Sequence, residues 1–133
     1  QYSLVVRDEF EGSLQEVGER DGLACLPYWP LAAGFLTGKY TNGNAESARG
    51  ATVSGFQTPR NEAILDVVSA VADRHGVAPA TVALAWLLTR PTVAAPIASV
   101  SRVEQLPALM ASTSLRLTPE DLADLDAISA PHP

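Results

Sequence analysis

The sequence predicts an α/β fold built from strand-then-helix units on a parallel sheet. Two observations carry that expectation. Short apolar runs alternate with longer amphipathic ones, and the strand-then-helix unit recurs three times along the chain. With 133 residues the chain suits one compact domain. Three such units fill only about half of a (β/α)8 barrel, which takes roughly 250 residues, and they also suffice for a small open α/β sheet. Periodicity does not choose between the two.

The opening Tyr2-Ser3-Leu4-Val5-Val6 is rich in β-formers and stops at the charged Arg7-Asp8-Glu9. From Asp8 to about Arg20 the apolar Phe10, Leu14 and Val17 fall at i, i+4 and i+7, one face of a helix that Gly22 ends. Leu23-Ala24-Cys25-Leu26 reads as a buried strand, and Pro27-Tyr28-Trp29-Pro30 must leave it, because proline cannot donate to a ladder. Residues 41–60 are polar and punctuated, a long loop of the kind usually kept for function. A second helix is expected from about Asn61 to His75, with Ile64, Val67, Val68, Val71 and Ala72 as its apolar stripe and Gly76 beyond its end. A third, Pro79 to Thr89, is apolar almost all round and so largely buried. Val93-Ala94-Ala95-Pro96-Ile97 reads as a short buried strand. Ser101 with Glu104 fits a capping box opening a helix through Leu106, Leu109 and Met110. Thr118-Pro119-Glu120-Asp121 starts the last helix, with Leu122 and Leu125 as its apolar face.

Composition narrows the function classes. Hydrophobic residues at 47% against charged residues at 18% give enough apolar material for a core. Nine basic residues against fifteen acidic ones leave a net charge of −6 with no Lys/Arg stripe, which argues against nucleic acid or a membrane as partner. No apolar run reaches the roughly 18 residues of a membrane span. A lone Cys25 cannot close an internal disulfide, so a reducing, cytoplasmic setting is expected. His75 and His132 lie too far apart to suggest a metal site. The chain opens on Gln1 and its one methionine is Met110, so it is expected to come from something longer.

Two stretches could carry chemistry. Tyr28 and Trp29 sit where a strand ends, followed by small residues, Gly38 and Lys39. At that end of a parallel sheet ligands bind, aromatics can stack on a planar ring, glycine admits a phosphate and lysine offers it a charge. A core aromatic pair followed by an ordinary turn reads from the same residues. A Walker A loop does not, since Gly34 and Gly38 are separated by three residues where four are needed and Tyr40 replaces the Ser/Thr. The second stretch runs from Ile97 through Ser99, Ser101 and Arg102 to Gln105, a strand entering a helix N-terminus that can hold an anion. Plain capping explains it equally. Arg49, in the long loop, could reach a phosphate or simply be solvated.

Taken together in their order, Tyr2-Ser3-Leu4…Arg7…Glu11, Pro27-Tyr28-Trp29-Pro30-Leu31-Ala32…Gly34…Leu36-Thr37-Gly38-Lys39-Tyr40, Ala83-Leu84-Ala85-Trp86-Leu87-Leu88, Ala95-Pro96-Ile97 and Glu104-Gln105-Leu106 resemble the aldo-keto reductase family. The resemblance covers essentially the whole chain. It implies the C-terminal half of a (β/α)8 TIM barrel, sixth strand to eighth helix, that uses NADP(H) to reduce a small-molecule carbonyl. It further implies Tyr28 stacked on the nicotinamide, and Trp29, Pro30, Leu31 and Ala32 along the pyrophosphate. Lys39 and Arg49 would be phosphate partners, with Ser99, Ser101, Arg102 and Gln105 around the adenosine 2′-phosphate. The family's catalytic Asp, Tyr, Lys and His belong to early strands, so no catalytic residue is expected here. Tyr2 and Tyr28 are not that tyrosine, nor Lys39 that lysine. Ala108 and Leu109 stand where the family often carries a Glu-Asn pair beside the adenine. The potassium-channel β-subunits share the superfamily, so a non-catalytic nucleotide-sensing or interaction module is the alternative. Unpaired sheet edges would favour self-association.

Overall fold

The computed structural model describes residues 1–40 and 50–131. Among them six α-helices follow in order: α1 (Ser13–Asp21), α2 (Gly50–Ser54), α3 (Pro59–His75), α4 (Pro79–Leu88), α5 (Leu106–Ala111) and α6 (Pro119–Ser129). A kinked 3₁₀ stretch, Ala32–Thr37, lies between α1 and α2, and a short 3₁₀ turn, Val103–Gln105, leads into α5.

Local chemistry sets both ends of α3. At α3 the Thr58 side chain accepts from the Asn61 N–H, Pro59 fills the first turn, and Gly76 takes a left-handed φ of 63°. Ile64, Leu65, Val68, Val71 and Ala72 of α3 are buried. In α4 every residue from Ala80 to Leu87 is buried, as an all-round apolar helix must be. It packs between α3, α5 and the 3₁₀ stretch, while α6 closes over α3 with Leu125 fully buried. Phe35, Leu36 and Tyr40 complete this core from the 3₁₀ side.

Two extended segments run parallel, as the strand-helix alternation predicts. Cys25 bridges Val93 and Tyr28 bridges Ile97, held by Cys25 N–H to the Thr92 carbonyl (2.7 Å), Ala94 N–H to Cys25 (3.0 Å) and Ile97 N–H to Pro27 (2.8 Å). Their expected burial is overturned: Leu23, Leu26 and Ile97 are exposed. The pair has no third parallel neighbour among the described residues, and these three side chains stay uncovered. The opening apolar run is likewise not a strand. An isolated antiparallel bridge, Ser3 to Val6, folds it into a turn, and Tyr2, Leu4 and Val5 drop into the core.

Other expectations shift at element ends. Helix α1 starts at Ser13 rather than Asp8, and Leu14 and Val17 are exposed. The helix approaches the rest of the molecule through Gly18, whose missing Cβ would lie 3.6 Å from the Thr92 methyl. Within the long-loop region, α2 occupies Gly50–Ser54 and α3 begins at Pro59; residues 41–49 lie outside the described residues. The Ser101–Glu104 box does not form. Gln105 Oε1 instead accepts from the N–H groups of Ser101 (3.0 Å) and Arg102 (3.3 Å), because the N-cap is Arg102 rather than Ser101 and the N3 position therefore falls on Gln105. Leu106 and Met110 of α5 remain exposed, while Leu109 packs against the core.

Polar groups tie the frame together. The Trp86 ring is fully buried between two guanidiniums, Arg90 at 4.5 Å and Arg7 at 5.3 Å from its centroid, and its indole N–H donates to Asp126 (2.9 Å). Arg7 also donates to Glu11, the Asp126 carbonyl and Ser129, joining the N-terminal turn to α6. Tyr2 donates to Glu11 (2.8 Å); burial first, then the Glu11 carboxylate, pushes its phenol well above the ordinary tyrosine range.

Candidate functional site

The two parallel segments end side by side at Tyr28 and Ile97, and a cavity of about 390 Å³ opens beyond them. One wall is the turn from Trp29 to Tyr40, the other the segment from Ile97 to Ser101 with Gln105. The start of α4 (Ala78, Ala80) and the middle of α5 (Ala108, Leu109) form its floor. Helices α4 and α5 are locked together here by the Thr81 hydroxyl donating to the Ala108 carbonyl (2.6 Å). A cavity of this size, largely apolar with a few polar groups, is of the kind that takes small ligands.

The turn has an unusual backbone. Trp29 (φ 54°), Ala32 (φ 49°) and Ala33 (φ 57°) all lie in the left-handed region, together with Gly34 (φ 103°) and Gly38 (φ 76°). Backbone bonds fold it tightly: Ala32 N–H to Trp29, Gly34 N–H and Leu36 N–H to Leu31. The Thr37 hydroxyl donates to the Gly34 carbonyl (2.6 Å). Gly34 is favoured there by its φ of 103°, while an added Cβ would meet the Tyr40 ring at 3.4 Å, an ordinary contact. Lys39 is the one charged side chain among the described lining residues, its Nζ 5.0 Å from the centre of the Tyr40 ring.

Of the residues singled out from sequence, the cavity gathers Trp29, Pro30, Leu31, Lys39, Ser99, Ser101 and Gln105. Tyr28 stands outside the lining, half exposed where the two segments end. Ala32 does not line the cavity; it is fully buried in the core with Phe35 and Leu36. Arg102 is exposed and off the lining, with its N–H given to Gln105. Arg49 lies outside the described residues, as does His132. Cys25 is partly buried, and burial pushes its thiol up, which suits a structural thiol rather than a nucleophile.

Comparison with known proteins resolves the family. The model of the aldo/keto reductase family matches residues 1–130. The chain belongs to the aldo/keto reductase family. It is 37% identical over 131 residues to Protein tas of Escherichia coli, across 96% of this chain and 38% of that protein. It is 34% identical over 134 residues to an L-glyceraldehyde 3-phosphate reductase of Escherichia coli O157:H7 (94% and 39%). A candidate voltage-gated potassium channel subunit beta of Schizosaccharomyces pombe is 35% identical over 138 residues (96% and 40%). The crystal structure of the thermostable aldo-keto reductase Tm1743, in complex with the inhibitor epalrestat, superimposes with a TM-score of 0.69. It is 23% identical over 96% of this chain and 38% of its own. The chain thus spans about two fifths of the length of these relatives.

Within this aldo-keto reductase chain, sequence reasoning missed Ala78 and Ala80 at the start of α4, whereas Ala108 and Leu109 of α5, which the resemblance set beside the adenine, also line the cavity. Alanines carry no chemical signal. Their role is to be small at a point where two helices meet a ligand-sized space. Among the described residues no group of three or more His, Cys, Asp or Glu side chains could hold a metal ion, and no helix is long and apolar enough to cross a membrane.

Proposed function

We propose that this chain is the NADP(H)-binding part of an aldo-keto reductase that reduces aldehydes and ketones to alcohols. The observation that carries the reading is the cavity at the ends of the parallel segments, walled by a tight, glycine-bearing turn and supplied with one cation. In parallel α/β folds that end of the sheet is where ligands bind.

The residues present suit a dinucleotide. Close backbone approach at Ala33 and Gly34 admits a pyrophosphate, and Lys39 offers it a charge. Ser99, Ser101 and Gln105 provide hydroxyl and amide groups for the ribose and its 2′-phosphate. At about 390 Å³ the cavity holds part of such a ligand, leaving Tyr28 beside the opening as a platform for a second flat ring. When bound, the reduced nicotinamide supplies a hydride. In this reading the groups that protonate the carbonyl oxygen lie outside these 133 residues, and the isolated chain binds cofactor without turning over carbonyls. The test is a binding titration paired with an assay. Saturable NADPH binding with no carbonyl-dependent NADPH oxidation is expected; turnover by the purified 14.0 kDa chain, or no binding by the folded chain, overturns the reading.

The 35% identity to a candidate potassium channel subunit beta favours a second reading, a nucleotide-sensing interaction module. It predicts the same binding and no turnover even when the remainder of a barrel is supplied, whereas the reductase reading predicts that such reconstitution restores carbonyl reduction.

A further inference from the structure

We propose that Trp29 is the specificity-determining wall of the cavity, selecting a flat ring in the ligand, and that Phe56 is the positioning residue holding its indole in place. The inference deepens the nucleotide reading above and rests on it.

Trp29 is the most costly residue to place where it stands. Its φ of 54° is a region that bulky side chains rarely adopt, and the same turn uses glycine at two other left-handed positions, Gly34 and Gly38. A tryptophan in such a position is expected to offset the strain by burial, yet its side chain is 46% exposed. Folding alone therefore does not explain it. Strain of this kind persists where surrounding structure fixes it, characteristically at ligand clamps. Here the ring lines the cavity on one side and meets Phe56 edge-on at 6.3 Å and 68° on the other.

Phe56 is itself firmly placed. Its N–H donates to the Val53 carbonyl, and Val53 is fully buried. Its carbonyl accepts from the Thr58 N–H (3.0 Å) and from the buried Asn61 amide (2.9 Å). Phe56 does not line the cavity, so it acts on a ligand only through Trp29.

The test is calorimetric titration of the chain and its variants with NADPH and, separately, with inorganic pyrophosphate, which has no ring. Trp29→Ala and Trp29→Gly are expected to weaken NADPH by about tenfold or more, a stacking-sized loss, and to weaken pyrophosphate by no more than about threefold. Trp29→Phe should hold NADPH affinity within about threefold. Trp29→Gly should melt above Trp29→Ala, since only glycine relieves the left-handed backbone. Phe56→Ala should weaken NADPH in the natural chain but add nothing to Trp29→Ala, and Phe56→Tyr should restore it. NADPH affinity insensitive to Trp29→Ala, or a Phe56→Ala loss that persists in the Trp29→Ala background, overturns this inference alone. A folded natural chain that does not bind NADPH overturns the nucleotide reading as well.

Discussion

Asp121 ties α6 to the end of α3. Its carboxylate accepts from the Thr118 N–H at the start of α6 (2.8 Å), from Arg74 (2.8 Å) and from His75 (2.7 Å), while its side chain is almost wholly buried. Burial works to raise its carboxyl, but the hydrogen bonds from His75, Thr118 and Arg74 outweigh that and hold it well below the usual carboxylate range. The unfolded chain therefore takes up this proton first as pH falls. Stability contributed by Asp121 is complete above the ordinary carboxylate range, near pH ~4, and is lost progressively below it. Asp121→Asn should cost about 1.5–3 kcal/mol at neutral pH, through the lost charged hydrogen bonding to Arg74, and should flatten acid unfolding followed by circular dichroism. Trp86 is the second such residue. Trp86→Ala removes a fully buried ring and should cost about 3–5 kcal/mol in urea unfolding, a large share of what a domain of this size has.

Helix boundaries set by local chemistry are legible in the residues themselves. Thr58-Pro59 and Thr118-Pro119 each place a capping hydroxyl ahead of an N1 proline, and both helices start there, with Thr118 accepting from the Asp121 N–H (3.1 Å). Thr118→Ala should cost about 1 kcal/mol, read as a lowered denaturation midpoint with unchanged slope. The all-round apolar character of Ala80 to Leu87 signals burial correctly, because such a helix has no face to show to water. Features that depend on a neighbour are not legible in the same way. Leu23, Leu26 and Ile97 are strand-like residues whose burial requires another layer, and a sequence does not say whether one is there. Leu14 and Val17 have helical spacing, but Gly18 is the point of contact, and a glycine gives no hydrophobic signal. The cavity is half legible for a related reason. Trp29 and Lys39 announce themselves, whereas Ala78 and Ala80 at the start of α4 matter by being small. Ala32 belongs by position to the same run as the lining residues, yet it packs into the core, and nothing in its residue type signals that.

At the scale of the molecule, this aldo-keto reductase chain spans two fifths of the length of its relatives, and Leu23, Leu26 and Ile97 along its parallel pair are exposed. Exposed apolar residues at an open sheet are a ready contact for another chain. We expect concentration-dependent self-association by sedimentation, reduced by Leu26→Lys and Ile97→Lys; a chain that stays monomeric across the accessible range would oppose that expectation. Neither substitution removes a core side chain, so folding should survive both. The functional reading turns on whether the cavity holds a nucleotide, and calorimetric titration of the folded chain with NADPH answers that without an intervening assay. Saturable binding that weakens on Lys39→Ala and as salt is raised is the expected outcome, since Lys39 is the charged group on the described lining. A chain that is folded by circular dichroism yet gives no saturable NADPH signal would refute it.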